Sequence, residues 1–289
     1  MKEEIHITKA SGKTAPFSQE KLKNSLQRVG ASSEQIASVL HEISGKLYDG
    51  ITTKKIYRLA FNLLKDSSRH IAAKYHLKQA IMELGPSGFP FEKYVAEILM
   101  AQQYTTQVGV TVKGKCVAHE IDVIAQLDQL QLMIECKYHN LPGTFCDVKI
   151  PLYIHARFKD VEATWLESNT ALTKQYQGWL VTNTRFSIDA IQYGTCAGLK
   201  LIGWDYPLKG SLKDQIDGLA LYPITCLTSI TKVEKTWLLE RKIVLCKEIY
   251  DNRKLLEQME IKASRIDVIT QELHQLCNNA AFTKKNQLA

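Results

Sequence analysis

No stretch of this 289-residue chain approaches the roughly 18 consecutive apolar residues of a membrane span, so no transmembrane protein is expected. The seven cysteines, at positions 116, 136, 146, 196, 226, 246 and 277, form no CxxC pair and are odd in number. That pattern argues against a structural zinc site and against a disulfide framework. The first residues, Met1-Lys2-Glu3-Glu4, are charged and lack the apolar run of a secretory leader. Glycine and proline are sparse, at 15 and 7 residues, and no segment repeats. With 45% hydrophobic and 23% charged residues, the collagen-like, low-complexity and disordered classes are excluded. The absences together predict a soluble, reduced, cytoplasmic protein of about two ordinary domains.

The charge is unevenly placed. Of a formal net +7, a surplus of six lies in residues 1–90, with 14 Lys/Arg against 8 Asp/Glu. A triphosphate or a nucleic-acid backbone could use that excess, although a solvated basic surface has the same composition. Within it, residues 5–14 read as two short strands around Ser11-Gly12. Ser18 is placed to cap a helix carrying Leu22, Leu26 and Val29. A second helix from Ser33 carries Ile36, Val39, Leu40 and Ile43. Thr52 or Thr53 caps a third, and a fourth is predicted over 68–84.

Gly85-Pro86-Ser87-Gly88-Phe89-Pro90 is the strongest breaker cluster, and the pattern changes beyond it. A helix is predicted over 91–103, then strands over 105–113, 116–125 and 130–137. A helix over 148–158 and a strand over 177–182 follow, then a helix over 187–196 and a strand over 200–204. From Ser211 to about Cys277 the pattern is helical, and 283–289 reads as a frayed tail. The predicted division is 1–86, 87–208 and 209–289: a small mainly helical domain, a mixed-sheet α/β core and a helical C-terminal region.

Gly12-Lys13-Thr14 imitates the end of a P-loop, but Ile7 stands where that motif needs glycine and Pro16 blocks the following helix. Residues 5 to about 90 instead resemble the ATP-cone, a regulatory nucleotide-binding domain found in many ribonucleotide reductases. The resemblance rests on Ile7-Thr8-Lys9, Gly12, Phe17-Ser18-Gln19-Glu20-Lys21-Leu22, Tyr48-Asp49-Gly50-Ile51-Thr52-Thr53 and Ile71-Ala72-Ala73-Lys74-Tyr75. It implies ATP or dATP as ligand. Lys9, Lys21 and Thr53 would contact phosphate or base, and Lys74 or Lys78 would close over the phosphates. The family's usual Arg after the first Lys is Ala10 here.

The second motif has its own chemistry. Asp122 ends one predicted strand and Glu135-Cys136-Lys137 ends the next, a spacing that suits two hairpin-linked strands meeting at their ends. Strand alternation puts Glu135 and Lys137 on one face and turns Cys136 away. A carboxylate pair beside an ammonium group is what a Mg2+- or Mn2+-dependent phosphodiesterase needs. Asp122 and Glu135, with a backbone carbonyl at Cys136, would hold the hard cation, and Lys137 would orient water and neutralise developing charge. His119 faces away from Asp122 by the same alternation and is expected as a hydrogen-bonding neighbour.

The order of elements over 88–207, with Asp122 and Glu135-Cys136-Lys137, Gly178–Asn183 and Leu199–Trp204, resembles the PD-(D/E)xK nuclease fold in its Mrr-like, restriction-endonuclease form. Ile121 stands where that family often has proline. By the resemblance, Glu92 is the helix carboxylate that supports the site. The run 238–244 faintly resembles a helix-hairpin-helix unit with Arg241-Lys242 in place of its glycine. The reading is a DNA endonuclease governed by ATP or dATP, with DNA, nucleotide and a second copy of the chain as partners, in defence or repair. A non-cleaving, nucleotide-responsive DNA-binding regulator is the alternative. The missing CxxC disfavours it, since the cone-bearing repressor carries a zinc ribbon.

Overall fold

The computed structural model describes residues 5–9, 11–141, 143–168 and 174–278. The replacement at Ala10 and the tail from Thr283 lie outside the described residues. Near the start, β1 (His6–Thr8) and β2 (Thr14–Pro16) pair antiparallel, with Ile7 opposite Ala15, through a turn in which Gly12 takes φ 80°. Only glycine enters that region without steric cost. The Ser18 hydroxyl accepts the Lys21 N–H at 3.2 Å and starts α1 (Gln19–Arg28). Ser32 and Gln35 form a reciprocal capping box on α2 (Ser33–Ser44).

β3 (Ile51–Thr52) then joins β1 in parallel, with Thr8 opposite Thr52. Thr52 is the cap of α3 (Thr53–Ser67), its hydroxyl accepting the Lys55 N–H. The single helix expected over 68–84 is broken into α4 (Arg69–Tyr75) and α5 (Leu77–Met82). The break falls at His76, whose Nδ1 lies 2.5 Å from the Tyr57 hydroxyl.

The α/β part opens with α6 (Phe89–Met100), which packs on the sheet strands β4 (Thr105–Lys113) and β5 (Ala118–Leu127). β6 (Leu130–Lys137) and the two-residue β7 (Phe145–Cys146) follow, then α7 (Lys149–Ser168), β8 (Gln175–Thr182), β9 (Arg185–Phe186), α8 (Ile188–Cys196), β10 (Lys200–Ile202) and α9 (Leu212–Leu219). The main sheet has the order β10-β8-β6-β5-β4: β4, β5 and β6 are antiparallel, and β6, β8 and β10 parallel. Ile121, Met133, Phe158, Val161, Leu180 and Leu201 close its core.

Of the bounds that differ from the sequence pattern, three have a visible cause. α7 runs ten residues beyond the expected 148–158, and Val161 continues its buried stripe. β5 starts at Ala118 because the N–H groups of Cys116 and Val117 are taken by Asp160 at 2.7 and 3.2 Å. β10 stops at Ile202 because Gly203 and Trp204 donate to Tyr206 and Thr184 instead.

The remaining helices are α10 (Lys232–Glu240), α11 (Cys246–Asp251), α12 (Lys254–Gln258) and α13 (Ala263–Cys277). After α10 the chain turns through Lys242 at φ 61°, the left-handed conformation that glycine would adopt in a hairpin. By packing, the chain forms two compact units. The first comprises Met1–Ala80, Tyr222–Trp237 and Cys246–Asn278; the second comprises Ile81–Leu221 with Leu238–Leu245. In the first, α13 packs against α4 and α11, and the Thr225 hydroxyl donates to the Ala80 carbonyl at 2.7 Å. The main apolar cluster of the first unit is built from α1 to α4, with Leu26, Ile43, Ala60 and Leu64 fully buried.

Candidate active site

The β5–β6 ladder closes at its far end on the pair Val123 and Ile134. One step further, the Asp122 carboxylate accepts the Cys136 N–H at 2.7 Å, so Asp122 is tied to the residue between Glu135 and Lys137. β6 continues against β8, where Glu135 faces Leu180 and Lys137 faces Thr182. The strand thus delivers Glu135 buried and Lys137 exposed. A cavity of about 260 Å³ opens here, lined by Pro86, Gly88, Cys136, Lys137, Tyr138 and Asn140. Tyr138 closes one side by donating to the Met82 carbonyl at 2.6 Å.

Three carboxylates crowd the end of these strands. Glu92, in the first turn of α6, is pushed up to about 7 by burial and by Asp122 and Glu120. Glu135 is pushed up to about 8 by burial and by Asp122, against the pull of Arg157. Burial raises Asp122, and the Cys136 N–H and Arg157 oppose it. Like charges held together out of water resist ionisation, and a hard dication relieves that repulsion.

The donor set fits such a cation. It is all oxygen, from Asp122, Glu135 and the Cys136 carbonyl, and Mg2+ takes one or two carboxylates and keeps waters or phosphate oxygens for the rest. Among the described residues no three His, Cys, Asp or Glu side chains form a ready cage. Sequence alternation turned Cys136 away, yet burial and the same three carboxylates hold its thiol well above the usual range.

Sequence reasoning missed the group behind Glu135. Arg157, from the third turn of α7, donates through Nη1 to Glu135 and through Nη2 to the Glu120 carbonyl. Its Nε lies 3.5 Å from His119 Nδ1, and His119 Nε2 lies 2.7 Å from Asp160 Oδ2. This hydrogen bond, with the N–H groups of Cys116 and Val117, holds Asp160 well below the ordinary carboxylate range. Gly114 lets the hairpin approach: a Cβ there would meet Asp160 Oδ2 at 2.1 Å. No linear motif links these residues, because Arg157 and Asp160 come from α7, a helix on which the sequence shows no catalytic motif.

In the first unit, Lys9 and Thr53 follow the paired residues Thr8 and Thr52, at adjoining chain ends, and Lys21 lies in the first turn of α1. Lys74, on α4, places its Nζ 5.6 Å from the centre of the Tyr222 ring, and Lys78 is exposed on α5. Tyr57, which the motif reading passed over, stacks on Tyr75 with ring centres 5.3 Å apart.

Three family models match successive parts of the chain. An ATP cone domain model matches residues 5–80, a restriction endonuclease model of the Mrr catalytic type matches 85–205, and an AF1548-like C-terminal model matches 222–277. A protein of Archaeoglobus fulgidus, described as uncharacterized, is 38% identical over 155 residues, which are 54% of this chain and 83% of the relative. The crystal structure of a protein of unknown function, AF1548, superposes with a TM-score of 0.54 at 33% identity, over 66% of this chain and 98% of that one.

Proposed function

The chain belongs to the family of AF1548 and carries an ATP-cone domain followed by an Mrr-type restriction endonuclease domain, and on that premise we propose a Mg2+- or Mn2+-dependent DNA endonuclease whose cutting responds to ATP or dATP. The observation that carries the reading is the junction of Asp122, Glu135 and Lys137 at the end of the β5–β6 ladder. Asp122, Glu135 and the Cys136 carbonyl would hold the cation, and Glu92 would support it from α6. Once bound, that ion supplies Lewis-acid stabilisation of the charge that builds on the phosphoryl oxygens.

Lys137, exposed beside the cavity, orients the attacking water and donates to the pentavalent phosphorane. The Asp122 bond to Cys136 fixes the strand end, so Lys137 and Glu135 keep their spacing as substrate arrives. In the cone, Lys9, Lys21 and Thr53 contact the nucleotide, with Lys74 and Lys78 as the closing pair. The C-terminal region serves DNA-backbone contact or self-association, and defence or repair is the setting that suits a nucleotide-governed cutter.

The test is cleavage of plasmid and oligonucleotide substrates with Mg2+ or Mn2+, with and without ATP and dATP. Divalent-dependent cutting whose rate changes with nucleotide is the expected result. DNA left intact under all these conditions, with purified folded protein, sinks the enzyme assignment.

A further inference from the structure

Arg157 is held from three sides: its two terminal nitrogens donate to Glu135 and to the Glu120 carbonyl, and its Nε faces His119. Its guanidinium also lies over Tyr153, 5.5 Å from the ring centre. The side chains of Arg157 and Glu135 are 13% and 10% exposed, so the pair is shielded from solvent. Glu92, Asp122 and Glu120 contribute further negative charge around it. A shielded cation on one oxygen of a metal-binding carboxylate stands where a dication's charge would otherwise act.

We propose that Arg157 is a resident counter-ion of the metal site, braced by the His119–Asp160 pair: it occupies one oxygen of Glu135 and fixes its orientation, and an arriving metal must compete with it for that carboxylate. The inference rests on the metal-site reading above. Arg157 is thus a positioning residue for Glu135, and His119 and Asp160 are positioning residues for Arg157. Two consequences separate this from plain packing. Losing the positive charge weakens the metal-free fold, as any lost contact would, but strengthens metal binding, which lost packing would not do. A lysine restores the charge without the fork that spans Glu135 and Glu120.

The experiment is Mn2+ titration of the full chain by calorimetry, beside thermal melts with and without Mn2+. Arg157→Gln should bind Mn2+ at least fivefold more tightly than wild type and gain more melting temperature from it. Arg157→Lys should return affinity to within about twofold of wild type. His119→Leu, which removes the brace and leaves the guanidinium, should tighten binding by about twofold, and it serves if Arg157→Gln does not stay folded. Wild-type binding with unchanged or weaker affinity in Arg157→Gln and His119→Leu overturns the counter-ion role and leaves the metal site standing. Absence of Mn2+ binding in every variant, wild type included, removes the metal site and the counter-ion with it.

Discussion

Lys137 and Glu135 sit two residues apart on β6, yet one is exposed and the other buried, and that contrast predicts how each fails. On the proposed mechanism Lys137→Ala removes a donor to developing charge, so single-turnover cutting should drop about 10²–10³-fold. Glu135→Ala should reach the same loss through the metal. DNA affinity should stay within a few-fold for both, because neither side chain tracks the phosphate backbone away from the cut. Fluorescence anisotropy without divalent ion, beside a cleavage time course, checks it; near wild-type rates in both variants would mean that the site lies elsewhere. Gly114 makes a simpler case. An alanine Cβ would lie 2.1 Å from Asp160 Oδ2 and 2.6 Å from the Val117 carbonyl, so the turn must open. Gly114→Ala should cost about 1–3 kcal/mol by overpacking, read from the denaturant midpoint of the second unit.

Among the elements, α10 and α13 depend on two carboxylates of different kinds. Glu234 caps α10 reciprocally with Thr231 and takes a forked bond from Arg265 of α13 at 2.7 and 2.9 Å. The Arg265 bond, helped by the Thr231 N–H, pulls Glu234 down to about 2 from an ordinary 4.5. A depressed carboxylate stabilises the fold fully above its unfolded value and loses that contribution as pH falls through the folded one. Between pH 4.5 and 2 wild type should therefore lose more melting temperature than Glu234→Gln, whose side chain does not titrate. Parallel acid limbs for the two proteins would remove Glu234 from the account. Glu272 is only 1% exposed and accepts both N–H groups and both hydroxyls of Thr228 and Ser229. Glu272→Ala orphans these donors and should cost at least about 3 kcal/mol in urea unfolding.

At the scale of the whole molecule, the proposed function assigns nucleotide response and cutting to separate residues. Lys9→Ala or Lys21→Ala should each weaken ATP or dATP binding by about 1.5–3 kcal/mol, the scale of a charge-assisted hydrogen bond. The double variant should keep basal cutting and lose only its change with nucleotide. Calorimetry belongs on the full chain, because the first unit is completed by Tyr222–Trp237 and Cys246–Asn278. A fragment ending near residue 90 lacks α13, which packs on α4, and Thr225, which donates to Ala80. Full-length protein that gives no heat with millimolar ATP or dATP would end the sensor role and leave the nuclease reading untouched.

Local spacing determined what local physics can determine. β4 and β6 begin and end where alternation places them, and Ser18 and Thr52 cap the helices that their positions announce. That Asp122, Glu135 and Lys137 meet was legible for the same reason: Glu135 and Lys137 are one pleat apart, and Asp122 lies across a single hairpin. Tertiary structure decided the rest. Arg157 meets Glu135 across 22 residues, and Asp160 meets His119 across 41. The C-terminal helices complete the first unit, with Thr225 reaching Ala80 across 145 residues. No periodicity encodes such meetings. They follow from which buried faces find each other once helices and strands exist, and burial then sets which carboxylates are crowded, which cation answers them and which hairpin a glycine must let close.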